Sequence, residues 1–199
     1  MSVIAAKSEL RKALREKRRS LSTEEIQKKS QEICDNFLQN LLPKLLTKKP
    51  DGIFSLYCAT DGEVDVSSIS RHFEKNKIQF SYPKIVAKNQ PLKFILVESA
   101  QALAPSAVIK KIMEPMSGKE VLPDFLILPL LAFDADLSRL GMGGGFFDRT
   151  ISALKMQKSE IIITGLGYGF QRLQTKLPIE KTDQRLDIIV TEKNVFLRS

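Results

Sequence analysis

Histidine and cysteine are scarce in this chain: one His and two Cys in 199 residues. Neither Cys34 nor Cys58 belongs to a Cys-x-x-Cys pair, so the sequence offers no zinc motif and no disulfide framework. His72 falls in a segment that reads as a helix, Asp65 to Lys75, where an ordinary surface position is expected. No apolar run approaches the ~20 residues of a membrane-spanning helix. The opening residues, MSVIAAKSELRK, lack an apolar stretch followed by a small-residue cleavage site, so no secretory leader is expected. Glu9 and Glu16 speak against an organelle transit peptide, which is poor in acids. There is no internal repeat and no low-complexity linker. The expectation is a cytoplasmic protein with no membrane partner.

What is present suits a folded enzyme-sized domain. Hydrophobic residues make up 43% of the chain, normal for a protein with a core. The length allows one large domain or two small ones. The formal net charge is +8. Such an excess attracts polyanions: nucleic acid, nucleotides or carboxylate-rich metabolites. A solvated surface with spare lysines explains it equally well.

Lys7 to Arg19 reads as a helix with Leu10, Ala13 and Leu14 as a narrow apolar stripe. Lys7, Arg11, Arg15 and Arg18 recur at spacings of three and four and share another face. Placed in a first turn, Lys7 and Arg11 oppose the helix dipole, which makes them candidate ligand contacts. Ser22-Thr23-Glu24-Glu25 resembles a capping box that opens a second helix ending near Pro43. Short apolar runs follow: Gly52 to Ala59, Ile78 to Tyr82, Phe125 to Leu131, Glu160 to Gly165 and Asp187 to Thr191. Asp65 is placed to cap a helix carrying Val66, Ile69 and Phe73. Lys84 to Lys88 and Leu92 to Val97 flank Asn89-Gln90-Pro91 as a hairpin. Phe147 to Met156 reads as a further helix. Alternating strands and helices predict one mostly parallel α/β sheet, with a site beyond the carboxyl ends of its strands.

The densest signal is Arg139-Leu140-Gly141-Met142-Gly143-Gly144-Gly145-Phe146-Phe147-Asp148-Arg149, which holds four of the ten glycines. It follows the Phe125–Leu131 run, where a site is expected. Glycine-dense backbone can turn its N–H groups toward an anion. Flanking arginines add phosphate contacts, and a carboxylate can hold a metal. The loop is not a Walker A motif, since no Lys-Ser/Thr follows, and its glycine spacing is not GxGxxG. A tight strand-to-helix connection is the plain alternative.

Arg139 to Arg149 resembles the RLGxGxGYYDR signature of 5-formyltetrahydrofolate cyclo-ligases, also called 5,10-methenyltetrahydrofolate synthetases. Other family elements follow in order: Lys7 and Arg11; Tyr57 to Glu63; Tyr82-Pro83-Lys84; Glu114-Pro115; Pro129 to Asp134; Gly165, Tyr168 and Gln171; and Leu177 to Asp183. The resemblance covers nearly the whole chain. It implies a single domain over 1–199, a three-layer α/β/α fold with a mostly parallel, Rossmann-like sheet of the NagB/RpiA/CoA transferase type, plus a β excursion. The N-terminal helices, 7–41, are expected to pack on the sheet. It also implies ATP-dependent conversion of 5-formyltetrahydrofolate, with polyglutamylated forms as candidate substrates, to 5,10-methenyltetrahydrofolate with release of ADP and phosphate.

By the same resemblance, Lys7, Arg11, Arg139 and Gly141-Met142-Gly143-Gly144-Gly145 meet ATP, with Phe146 and Phe147 against it. Glu63, Cys58, Gly143, Gly145, Phe146 and Phe147 meet the folate. Arg139 and Asp148 act in catalysis, and Asp148 and Asp183 hold Mg²⁺. Tyr168 and Gln171 are weaker candidates near the nucleotide, and Arg149 is a candidate partner for Asp148. A monomer is expected. The chain departs from the family pattern at Met142, Phe146-Phe147 and Thr182, where Tyr, Tyr-Tyr and His are usual. The alternative from another class is a non-catalytic relative that binds nucleic acid through its basic surface; the absence of an RNP motif counts against it.

Overall fold

The computed structural model describes residues 2–99, 103–158 and 160–198. The two ends of the expected 1–199 unit, Met1 and Ser199, lie outside the described residues. Helix α1, Val3–Arg19, starts where Ser2 Oγ accepts the Ala5 N–H at 3.2 Å. It closes on Lys17, Arg18 and Arg19, cations that suit the negative end of the helix dipole. Because the helix begins at Val3, Lys7 lies beyond its first turn, and the expected conflict with the dipole is absent.

Helix α2, Thr23–Asn36, has the expected capping box between Ser22 and Glu25. Pro43 does not end the helical stretch. A π-helical turn, Phe37–Leu41, leads into α3, Leu42–Lys48, and Pro43 sits in the first turn of α3, where no backbone donor is needed.

The sheet strands are β1 (Phe54–Ser55), β2 (Phe80–Lys84), β3 (Lys93–Val97), β6 (Glu120–Val121), β7 (Phe125–Pro129), β10 (Ile162–Leu166), β11 (Ile188–Val190) and β12 (Val195–Leu197). Two small pairs stand apart: β4 (Leu103–Pro105) with β5 (Met113–Pro115), and β8 (Ala132–Phe133) with β9 (Arg139–Leu140). The main sheet runs β12-β11-β10-β7-β1-β2-β3-β6. Its five central strands, from β11 to β2, are mutually parallel. Strands β12, β3 and β6 add antiparallel edges. The hairpin before Lys93–Val97 forms with an earlier first arm than expected: β2, Phe80–Lys84, pairs with β3, and residues 85–88 are not strand.

Alternate residues on one strand enter different cores, as a sheet covered on both faces requires. On β7, Phe125 and Ile127 pack in a cluster with Ile33 and Phe37, and with Phe73 of α4 (Ser67–Asn76). Leu126 and Leu128 pack in another with Ile151 and Leu154 of α5 (Phe146–Gln157). Strand β11 divides the same way, Ile188 and Val190 against Ile189. Aromatic rings tie the first layer together, Phe54 lying 4.5 Å from Phe125 and 4.8 Å from Phe73 between centroids. Helices α2 to α4 on one face and α5 on the other give the expected three layers.

One expected connection differs. The glycine loop does not follow β7 directly. The β8–β9 hairpin intervenes and returns Arg139 to the loop's base. Asp134 builds that hairpin by accepting N–H groups from Asp136 and Ser138, each at 3.0 Å, and from Leu177 at 2.9 Å.

Candidate functional site

A cavity of about 1050 Å³ opens beyond the carboxyl ends of β1, β2 and β7, where Tyr57, Pro83 and Leu130 line it. That is where an open α/β sheet places its ligands. The glycine loop forms one wall, and Phe146, Phe147 and Asp148 of the first turn of α5 continue it. Gly143 and Gly145 have φ of 98° and 64°, left-handed values that glycine adopts without strain. A Cβ on Gly145 would meet Arg149 Nη1 at 2.6 Å. Arg149 Nη2 donates to the Gly144 carbonyl at 2.7 Å, and its guanidinium lies 5.4 Å from the Phe146 ring centre. Arg149 therefore clamps its own loop. It is not the partner of Asp148.

That partner is Arg139. Its Nη2 donates to Asp148 Oδ1 at 2.9 Å, and its Nη1 donates to the Gln184 carbonyl at 2.7 Å. The Gln184 N–H donates to the same Asp148 oxygen at 3.0 Å. Asp148 thereby joins the glycine loop to the loop after Leu177, while its Oδ2 accepts no bond among the described residues. Arg139 is buried, which pulls its pKa below the ordinary value against the opposing pull of Asp148.

Helix α1 brings the other cations. Lys7 is only 3% exposed, and its Nζ donates to Glu180 Oε2 at 2.8 Å and to Asp183 Oδ2. Burial pulls the Lys7 pKa down, but the bonds to Asp183 and Glu180 outweigh it and hold it above the ordinary lysine value. Arg11 Nε donates to the Gly141 carbonyl at 3.0 Å and packs beside Gly143. The face shared by Lys7, Arg11, Arg15 and Arg18 is turned inward, and Lys7 and Arg18 are both buried.

Glu63 lies in the turn Thr60 to Glu63, closed by Glu63 N–H to Thr60 O at 3.0 Å, and also lines the cavity. Asp61 and Gly62 both have positive φ, 54° and 76°, as a type I′ turn requires. Glu63 Oε2 accepts the Thr60 N–H at 2.9 Å. Burial raises the Glu63 carboxyl pKa above the ordinary value in spite of that bond. Cys58 also lines the cavity, and burial pushes its thiol up to about 12.

All the residues proposed from sequence for ATP, folate and metal line this one cavity: Lys7, Arg11, Cys58, Glu63, Arg139, residues 141–148 and Asp183. Tyr168 and Gln171 do not line it. Tyr168 is buried in the core with its hydroxyl donating to the Gly62 carbonyl at 3.0 Å, and Gln171 Nε2 donates to Leu130 O at 3.0 Å. They brace the loops around the cavity. His72 lies on α4, away from the cavity, with its ring 6.5 Å from Phe73.

Sequence reasoning passed over Glu180 and Gln184, and over the apolar wall of Ile109, Ile112 and Met113. Glu180 and Gln184 sit within and beside the Leu177–Asp183 match. The apolar wall follows the short strand β4, where no periodic pattern marks it.

The donor set fits a magnesium ion held jointly with phosphate. Among the described residues no group of three or more His, Cys, Asp or Glu could hold a metal alone. Mg²⁺ ordinarily takes one or two carboxylates and completes its shell with waters and substrate phosphates. Asp148 and Asp183 each keep one carboxylate oxygen without a protein donor among the described residues, and both line the cavity.

Residues 3–192 match the model of the 5-formyltetrahydrofolate cyclo-ligase family. The chain is 30% identical over 192 residues to the 5-formyltetrahydrofolate cyclo-ligase of Escherichia coli K12, covering 92% of this chain and 98% of that one. Among solved structures, the 5,10-methenyltetrahydrofolate synthetase of Aquifex aeolicus superposes with a TM-score of 0.80 at 34% identity, covering 96% of this chain and 92% of that one. The synthetase of Mycoplasma pneumoniae gives 0.71 at 26% identity, with 94% and 99% covered. With a family match over almost the full length and a fold shared with solved members, the chain belongs to the 5-formyltetrahydrofolate cyclo-ligases.

Proposed function

We propose that this chain closes the ring of 5-formyltetrahydrofolate to 5,10-methenyltetrahydrofolate, converting ATP to ADP and phosphate. The observation that carries the reading is the meeting, in one cavity, of three cations, Lys7, Arg11 and Arg139, and a glycine loop with the buried carboxylate of Glu63. A formamide oxygen is a poor leaving group. Transfer of the γ-phosphoryl group to it releases ADP and makes it a good one. N10 then attacks the formyl carbon and loses its proton, and the C–O bond breaks to release phosphate.

The protein's task in such a reaction is positioning and charge stabilisation. Lys7, Arg11 and the loop 141–145 would hold the phosphates, with Arg139 beside the group in transfer. Glu63 would accept N–H groups of the pterin, since a carboxylate can accept two at once. Phe146 and Phe147 offer planar apolar surface to a ring. Lys7 would leave its carboxylate partners, Glu180 and Asp183, when phosphate arrives. Asp148 and Asp183 would hold Mg²⁺, which when bound would supply positive charge to neutralise phosphate.

The reading is tested with substrate carrying oxygen-18 in its formyl group. Label recovered in the released phosphate is the expected result. Unlabelled phosphate with methenyl product formed would contradict phosphorylation of the formyl oxygen.

A further inference from the structure

Arg18 is the least exposed charged residue in the chain, at 1%, yet it does not line the cavity. Its Nε donates to the Asp61 carbonyl at 2.8 Å, and its Nη2 donates to Asp61 Oδ2 at 3.2 Å. The same Nη2 lies 3.5 Å from Met142 Sδ, in the glycine loop. Among the described residues its Nη1 has no hydrogen-bond partner, and it lies 3.9 Å from Glu63 Oε1. One guanidinium thus touches two cavity-lining segments: the turn that carries Glu63 and the glycine loop.

Arg18 is not the sole cation on Asp61. Arg19 Nε donates to its Oδ1 at 2.6 Å, and Arg15 Nε donates to its Oδ2 at 3.1 Å. Burial would raise the Asp61 pKa, but the Arg19 and Arg15 bonds, together with the charges of Arg15 and Arg18, outweigh it and keep the carboxyl low. Three arginines on one carboxylate leave an excess of positive charge. Burying a guanidinium is costly, so its buried position points to a beneficiary besides Asp61. The nearest anion other than Asp61 is Glu63. The carboxylate oxygen that Thr60 does not bind, Oε1, is the one that faces Arg18. Gly62 packs against the Arg18 stem, where a Cβ would lie 3.5 Å from Arg18 Cγ, so turn and helix are in close register.

We propose that Arg18 is a positioning residue that fixes the Glu63 turn relative to the glycine loop and keeps Glu63 a carboxylate for the folate. The inference rests on the reading of Glu63 as the folate-binding carboxylate. Glu63 is faced by Arg18 from α1 and by Asp61 in its own turn, with the Tyr57 and Tyr168 hydroxyls nearby. Arg18 favours its charged form, and Asp61 and burial disfavour it.

The test is the pH dependence of folate use. Arg18→Met keeps the apolar stem and removes the charge. The acid limb of kcat/KM for 5-formyltetrahydrofolate should move up by about one pH unit, in keeping with a cation ~4 Å from a carboxylate. At neutral pH that constant should fall about tenfold, with the KM for ATP within about twofold of wild type. Arg18→Lys should restore the position of the acid limb. Asp61→Asn gives the opposite sign, because asparagine tolerates the positive φ and removes the competing anion. Its acid limb should move down, and this variant keeps the test open if Arg18→Met does not fold.

An acid limb unmoved in Arg18→Met, or unmoved or raised in Asp61→Asn, would overturn the proposal. So would an equal loss for both substrates. Binding of 5-formyltetrahydrofolate measured by calorimetry across the same pH range separates this from the reaction itself. If wild type bound the folate but made no methenyl product, the proposed reaction would fall while the Arg18 shift could still be read.

Discussion

Replacing Asp148 by asparagine separates its structural bonds from the catalytic role proposed for it. Oδ1 accepts from Arg139 Nη2 at 2.9 Å and from Gln184 N–H at 3.0 Å. The amide oxygen of asparagine can keep both bonds, so the shape of the loop survives. What disappears is the charge opposite Arg139 and the second anionic oxygen facing the cavity. The pair is half shielded: the Arg139 side chain is 3% exposed and that of Asp148 28%. Arg139 also keeps its bond to the Gln184 carbonyl. The stability loss should therefore stay near 1 kcal/mol, well short of the ~3–5 for a fully buried pair that loses one member. For a chain of this size that lowers Tm by about 2–4 °C.

The catalytic loss should be much larger. An amide hydrogen would point to where a metal or phosphate-bound cation is proposed to sit. Losing one such electrostatic contact costs about 10²–10³ in turnover, or roughly 2.7–4 kcal/mol in the barrier. The assay pairs methenyl absorbance in MgATP and 5-formyltetrahydrofolate with circular dichroism and a thermal melt. Turnover within about threefold of wild type, in a protein that melts normally, would remove Asp148 from the catalytic role. A Tm drop above about 10 °C would refute the structural half, because it would mean the charge pair, and not the bonds asparagine keeps, holds the loop.

Further outcomes follow from the same geometry. Lys7→Met should raise the KM for ATP about tenfold or more and leave that for the folate within about threefold; an equal rise in both would refute the assignment of α1 to the phosphates. Lys7 has its folded pKa raised, so its pairing stabilises the fold fully below the unfolded value of ~10.4 and is lost as pH rises through the folded value. Denaturant titrations of wild type and Lys7→Met should accordingly converge as the pH is taken above ~10.4, and a difference that persists undiminished at the highest pH would contradict the pairing. Gly143→Ala adds a side chain at φ 98° beside Arg11 Nε, 3.4 Å from the new Cβ, and should cut kcat/KM for ATP about tenfold or more while the folate still binds; unchanged kinetics would argue against the loop as a phosphate cradle. Cys58, with its thiol near 12, should react with iodoacetamide at pH 8 about a hundredfold more slowly than a free thiol; rapid alkylation would show that the wall is open to solvent.

Much of this arrangement was legible in the residues. The glycine loop announced itself by composition, and Lys7 and Arg11 by helical spacing. Ser22 with Glu25, and Asn89 at the β2–β3 turn, gave local signals that side chain and backbone obey directly. Other features had no local signature. Strands β4, β5, β6 and β12 have two or three residues each, too few for alternation to register. The Arg139–Asp148 pair is decided by the β8–β9 hairpin, which brings Arg139 to the first turn of α5, and proximity in sequence favoured Arg149 instead. Tyr168 and Gln171 match the family pattern, but pattern cannot separate a ligand contact from a buried brace; only their bonds to Gly62 and Leu130 do. Pro43 was a misleading stop signal, since a π turn before it let the helical path continue.

The most direct test of the central claim is a single coupled measurement. Purified protein is mixed with MgATP and 5-formyltetrahydrofolate, and methenyl absorbance and ADP are followed together. The account predicts one ADP for each methenyl product, with neither formed when either substrate is left out. No methenyl product from verified folate, alongside unchanged ATP, would contradict it.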